Sequence, residues 1–230
     1  MVAIEGSSSM AIMLNMLKES FQQTYPEIPV SLTITSSKMG LKSLMAKKTD
    51  IAAISYFDNT NKKYLNFQKN IIAYDEILPI VNPKLKLKSL NLSQLKLILT
   101  GKLIYWPMNN KQIINLYIRN QNSGTYEYIK QSFLDQENFS NKAIIMSDTN
   151  GILNSVNNDP YALGFISSSL GKTVSTINIT QNNHKIFHIR RPLYFITDQN
   201  MKNSTQEFIK FCLSPAGKKI ILKANFKLNP

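Results

Sequence analysis

The sequence predicts an α/β fold, and three observations carry that reading. Short apolar strand patterns alternate with amphipathic helix patterns along the chain, the mark of βα units and a largely parallel sheet. A length of 230 residues suits one large α/β unit or two small lobes, and three domains would not fit. With 43% hydrophobic and 18% charged residues the chain can bury a core, and it lies outside the disordered, collagenous and coiled-coil classes.

The elements follow from the spacing. Val2-Ala3-Ile4 reads as an opening strand, and after Gly6 the residues Met10, Met13, Leu14, Leu17 and Phe21 recur at helical spacing until Tyr25-Pro26. Val30, Leu32 and Ile34 alternate as a half-buried strand, and Leu41, Leu44 and Met45 define a second helix face. Further strands are expected at 51–54, 77–81, 114–118, 163–166 and 193–196, and further helices at 93–99, 126–134, 151–156 and 205–213. A last helix starts at Ser214-Pro215, with Ser as N-cap and Pro at the first helical position, and runs to about Lys223. There is no low-complexity linker and no internal repeat. Residues 82–88, Asn-Pro-Lys-Leu-Lys-Leu-Lys, give a boundary signal, or alternatively a lysine-protected edge strand.

The charge balance is the outlier. Lys and Arg number 27 against 14 Asp and Glu, a net charge of +13, which suggests an anionic partner: nucleic acid, a membrane or a small anion. Only Arg119, Arg190 and Arg191 are arginines, and the lysines are spread from Lys18 to Lys227, a pattern of solubility more than of one binding face. The single cysteine, Cys212, excludes an internal disulfide and a cysteine-based metal cluster, and its place after Phe208, Ile209 and Phe211 reads as a buried structural thiol. No window approaches a membrane span, and the N-terminus lacks a signal-peptide pattern. An exported protein whose leader has been removed would show the same N-terminus.

Four strand-to-helix turns are rich in small hydroxyl residues and glycine: Gly6-Ser7-Ser8-Ser9, Thr35-Ser36-Ser37-Lys38-Met39-Gly40, Asn122-Ser123-Gly124-Thr125 and Ser147-Asp148-Thr149-Asn150-Gly151. They hold four of the eight glycines. A helix start leaves backbone N–H groups unpaired and carries partial positive charge, so small residues there let an anion approach, and hydroxyls add donors. Ser, Thr and Gly are also the ordinary capping residues, and each turn alone fits that reading. Convergence at the C-terminal edge of parallel strands favours a ligand crevice. Arg119 ends a strand four residues before Ser123, where a planar guanidinium can donate two hydrogen bonds to an oxyanion. Arg190-Arg191-Pro192 reads as a solvated or inter-lobe pair.

Enzyme signatures are weak. The phosphate loop G-x-x-x-x-G-K-S/T, G-x-G-x-x-G and G-x-S-x-G are all missing. His184 and His188 lie in a strand or loop with no acidic partner nearby in sequence, so they do not form a helical zinc pair. Asp75-Glu76 precedes a strand and is expected to satisfy turn amides or an inter-lobe contact.

These turns, in this order, resemble the phosphate-binding proteins of bacterial phosphate ABC transporters, and the resemblance covers nearly the whole chain. Gly6-Ser7-Ser8-Ser9 is similar to the family's opening turn, residues 37–42 to its second, and Asp50-Ile51-Ala52-Ala53-Ile54-Ser55 to the strand that follows. Residues 95–106, LKLILTGKLIYW, resemble its helix, Thr-Gly-Lys and Trp segment. Arg119 with Ser123-Gly124-Thr125 matches its most specific motif, and residues 162–167, 191–194 and 213–217 resemble its later strands and closing segment.

The resemblance implies a two-lobe, periplasmic-binding-protein-like (type II) α/β fold with a hinge and mixed sheets flanked by helices. Lobe I is expected from 1–82 plus 190–230 and lobe II from 83–189. It implies Ser9, the Met10 amide, Ser37, Ser55, Arg119, Ser123, Gly124 and Thr125 as phosphate contacts between the lobes. Ser55 stands where many members place an Asp, and a hydroxyl can donate or accept. Lys38-Met39 replaces small residues of the second turn.

The implied function is capture of inorganic phosphate, or a similar oxyanion, outside the cytoplasm and delivery to an ABC importer's membrane permease. The protein is expected to be periplasmic or anchored at the cell surface, and monomeric. No catalytic residue, metal, cofactor or nucleic-acid partner is expected. The alternatives are a phosphate sensor or other oxyanion-binding protein on the same fold, a basic nucleic-acid-binding protein, and a phosphate-ester hydrolase.

Overall fold

The computed structural model describes residues 1–134, 137–181 and 185–229. In chain order the elements are β1 (Val2–Ser7), α1 (Ala11–Thr24), β2 (Val30–Thr35), α2 (Ser37–Met45), β3 (Ile51–Ile54), β4 (Phe67–Val81), β5 (Ser89–Asn91), α3 (Leu92–Leu99), β6 (Tyr105–Trp106) and β7 (Asn109–Ile113). There follow β8 (Asn115–Arg119), α4 (Gly124–Phe133), β9 (Ile144–Met146), α5 (Thr149–Asn158), β10 (Ala162–Ser167), β11 (Asn178–Gln181), β12 (Lys185–Phe187), β13 (Ile189–Asp198), α6 (Asn203–Leu213) and α7 (Pro215–Lys223). The chain divides into two compact units, Met1–Asp75 with Asn122–Gly124 and Arg190–Pro230, and Glu76–Gln121 with Thr125–Ile189.

In the first unit β1 pairs in parallel with both β2 and β3, and β13 runs antiparallel to β3. One face of these strands buries Ile4, Leu193 and Phe195 against α1, α6 and α7. The apolar stripe of α1, Met13, Leu14, Leu17 and Phe21, is fully buried there. Phe21 meets Phe208 edge-on at 5.0 Å and Phe211 at 5.4 Å. Cys212 lies in the same core, and burial pushes its thiol well above the ordinary range. A second cluster packs Leu41 and Leu44 of α2 against Ala52, Ile54 and Ile196. Gly6 is fixed by close approach: a Cβ at this position would run into the Ala53 carbonyl of the neighbouring strand.

In the second unit β10 runs antiparallel to β4 and parallel to β8, and β8 pairs in parallel with β9. A three-stranded sheet has the order β12-β11-β5, and β6 and β7 form a short hairpin. The core joins Leu95, Ile98 and Leu99 of α3 and Ile129 and Phe133 of α4 to Trp106, Leu116, Ile118 and Leu163. α5 packs Ile152 and Val156 on Ile80, Ala162 and Ile166. Helix starts carry the expected chemistry: Asn91 and Gln94 close a capping box on α3, and Ser214 accepts the Gly217 N–H above Pro215 on α7.

The structure corrects several readings. Residues 84–88 are not an edge strand: Pro83–Leu85 is a 3-10 turn and Lys86 is left-handed at φ 53°. Asn82 donates from Nδ2 to the carbonyls of Val156 and Asn157 inside the second unit. Asp75-Glu76 does not precede a strand but lies inside the 15-residue β4. Arg191 is not solvated: its Nη2 lies 2.7 Å from Asp75 Oδ2, with both side chains fully buried. His188, which has no acidic residue nearby in sequence, meets one from 112 residues away, with 2.5 Å between its Nδ1 and Glu76 Oε1. His184 lies outside the described residues.

Candidate functional site

The four hydroxyl-rich turns differ in what their side chains do. In α2 the work is divided between neighbours. Ser36 takes the ordinary capping role, its Oγ accepting the Met39 N–H at 3.3 Å, and Ser37, the first helical residue, turns inward. Ser37 Oγ accepts the Ser55 N–H at 3.1 Å and stands 3.3 Å from Ser55 Oγ. Ser55 follows β3, every residue of which is buried, and is itself 0% exposed. Its Oγ lies 3.0 Å from that of Ser7, the last residue of β1. Parallel pairing of β1 with β3 and the helix start after β2 thus bring three hydroxyls of the first unit into one chain.

The segment Asn122–Gly124 packs onto the same place. The Asn122 carbonyl accepts the Lys38 N–H at 3.2 Å. Gly124 approaches so closely that a Cβ there would collide with Ser55 Oγ and would stand 2.6 Å from Ser37 Oγ. Of the residues expected from the sequence, Ser37, Ser55 and Gly124 are therefore gathered in direct contact. Ser9 is buried in the 3-10 turn Ser8–Met10 that leads into α1, and Ser123 is buried next to Gly124. The Met10 side chain belongs to the hydrophobic core, which leaves only its backbone for a polar role.

Arg119 and Thr125 belong to the second unit. Thr125 is buried in the first turn of α4. Arg119 ends β8 and is only 4% exposed, unusual for a cation and acceptable where it is paired or hydrogen-bonded. Nη2 donates to the Ser147 carbonyl at 2.9 Å and Nη1 to Thr149 Oγ1 at 3.2 Å. Between these residues Asp148 caps α5, accepting the Gly151 N–H at 2.8 Å. That amide, helped by the Ser147 hydroxyl and the Arg119 charge, holds the Asp148 carboxyl below its ordinary range. The fourth turn therefore faces a cation, with acceptors, where its composition had suggested donors for an anion.

Sequence reasoning did not single out Ser7, Ser147 or Thr149. Each stood inside a turn it did identify, but in a run of small hydroxyl residues only the strand register decides which side chain faces inward. Chemically the first unit offers neutral hydroxyls and close-approach backbone, and the second, taken by itself, offers a guanidinium held by acceptors of its own unit. Among the described residues no three His, Cys, Asp or Glu side chains gather as a metal site requires, and no helix is long and apolar enough to cross a membrane.

The profile of the PBP superfamily domain matches residues 1–216. A phosphate-binding protein PstS of Staphylococcus epidermidis is 26% identical over 93% of this chain and 74% of its own length. Its counterpart in Borreliella burgdorferi is 24% identical over 98% of this chain and 88% of its own. Among solved structures, one from Clostridium perfringens with bound phosphate superposes with a TM-score of 0.88 at 24% identity, covering 100% of this chain and 99% of that one. An ABC-type phosphate transport receptor from Vibrio cholerae gives 0.79 at 24% identity, with both chains fully covered.

Proposed function

The chain belongs to the PBP superfamily, and from that premise we propose that it is an extracytoplasmic solute-binding protein that captures inorganic phosphate for an ABC importer. The observation that supports this most directly is the buried, doubly held guanidinium of Arg119, four residues before the Ser123-Gly124-Thr125 run. Ser9, the Met10 amide, Ser37, Ser55, Ser123, Gly124 and Thr125 complete the proposed donor set. Relatives described as phosphate-binding, and a similar chain solved with phosphate, support the choice of ligand.

The role is binding and hand-over to a membrane permease, without turnover, by a monomer that is periplasmic or held at the cell surface. Dispersed lysines then assist by attracting anions and do not define a nucleic-acid face. Calorimetric titration of the purified protein with phosphate, arsenate, sulfate and molybdate tests the reading. Phosphate is expected to bind most tightly, and Arg119→Ala to weaken it by at least about 1.5–3 kcal/mol, the range for a hydrogen bond to a charged group. Binding of no oxyanion, or unchanged affinity in Arg119→Ala, would overturn it. Steady release of a chromogenic phosphate ester's alcohol, abolished by the same substitution, would favour a hydrolase instead.

A further inference from the structure

We propose that the turn Ser147-Asp148-Thr149 is a positioning clamp for Arg119, in which the Thr149 hydroxyl sets the plane of the guanidinium. The inference rests on the reading of Arg119 as the anion's cation and adds to it the residues that hold this cation in place. The role assigned to Thr149 is exerted through Arg119.

Register delivers the clamp. β8 and β9 pair in parallel with Arg119 opposite Met146, and the Asn120 N–H donates to the Met146 carbonyl at 3.3 Å. Ser147, Asp148 and Thr149 therefore begin one residue beyond Arg119's strand partner. The turn meets the guanidinium with acceptors: the Ser147 carbonyl at Nη2, Thr149 Oγ1 at Nη1, and the Asp148 carboxylate as the neighbouring negative charge. A guanidinium is a rigid fork, so bonds from both terminal nitrogens to fixed points of one turn define its plane and leave little freedom about its last torsions.

The acceptors are themselves fixed. Ser147 supplies backbone, and Asp148 is tied to the Gly151 amide as the cap of α5. Thr149 is buried, is the first residue of that helix, and has a β-branched side chain that is stiff about χ1. Preorganisation of this kind raises affinity because the cation is not ordered at the moment of binding.

The test compares Thr149→Val, which keeps the shape and removes the acceptor, with Thr149→Ser, which restores it. Calorimetric titration with inorganic phosphate is expected to show Kd raised about tenfold in Thr149→Val, about 1.4 kcal/mol, and within twofold of wild type in Thr149→Ser. A second readout needs no ligand: nitrogen-15 NMR of the Arg119 guanidinium, whose Nη protons should be resolved by restricted rotation in wild type and Thr149→Ser and averaged in Thr149→Val. Wild-type Arg119 signals in Thr149→Val overturn the clamp whatever happens to affinity. Averaged signals with unchanged phosphate affinity overturn its role in binding. If the wild-type protein binds no phosphate, the functional reading fails and the NMR comparison alone decides the clamp. Thr149→Ala replaces Thr149→Val in both measurements if valine disturbs the start of α5.

Discussion

The Ser55 hydroxyl stands 3.0 Å from the Ser7 hydroxyl, and Ser37 Oγ lies 3.3 Å away on its other side. Each hydroxyl has one proton, so two contacts among three groups engage two protons and leave one O–H outside those contacts in every arrangement. The chain has spare lone pairs as well. It can donate to a fully ionised oxygen or accept from a protonated one. Ser55→Ala cuts the chain at its centre and should weaken phosphate binding by about 1–2 kcal/mol, whereas Ser7→Ala, at its end, should cost less. Calorimetry on the two variants checks the order, and an equal or reversed ranking contradicts the hydroxyl chain.

Close approach gives a sharper test at Gly124. An added methyl would meet the Ser55 and Ser37 hydroxyls, which belong to different elements and cannot both retreat without losing their mutual contact. Gly124→Ala should therefore reduce phosphate affinity at least tenfold, and because the added carbon would also stand 3.0 Å from the backbone carbonyl carbon of the buried Ser55, the melting temperature should fall as well. Full affinity in the variant would mean that this contact is not part of the site.

Most elements with strong periodicity were legible in the sequence, and the reasons for the rest are particular. α1, α2 and the strands around Ile51 and Leu163 show plain apolar patterns, and Ser214-Pro215 is an explicit helix-start signal. β4 was read as starting near Ile77 because Asp75-Glu76 looks like a break. The charge is buried with a partner, Arg191, that arrives from 116 residues away, which no local pattern records. The strands β5, β6, β9 and β12 are two or three residues long and too short to show a period. At the site the turns were visible from composition, but the polarity of the turn at 147–149 was not. A serine or threonine donates or accepts according to its neighbour, and that neighbour is set by the pairing of β8 with β9.

Asp148 should leave a mark on acid stability. Its carboxyl is held below the ordinary range first by the Gly151 amide, so it binds its proton less readily folded than unfolded. Such a group adds stability above its unfolded value, about pH 3.9, and that contribution disappears as pH falls through its folded value. Asp148→Asn keeps a capping side chain but has no titration. The gap in urea midpoint between wild type and Asp148→Asn should be present at pH 6 and narrow as the pH falls below about 3.9. A gap constant across this range would contradict the assignment. The effect is small because the group is exposed to solvent.

The Asp75–Arg191 pair makes the largest stability prediction. Asp75 Oδ2 accepts from Arg191 Nη2 at 2.7 Å and from Nε at 3.1 Å, and both side chains are completely buried in the first unit. Burying two ions carries a large desolvation cost that their attraction roughly offsets, so the intact pair adds little net stability. Loss of one partner leaves a buried charge uncompensated. Asp75→Ala or Arg191→Met alone should therefore cost about 3–5 kcal/mol, whereas Asp75→Leu combined with Arg191→Met should recover most of that loss. Urea denaturation of the three variants measures the difference. A double variant as unstable as the sum of its singles would show that the two residues are held by other neighbours and not by each other.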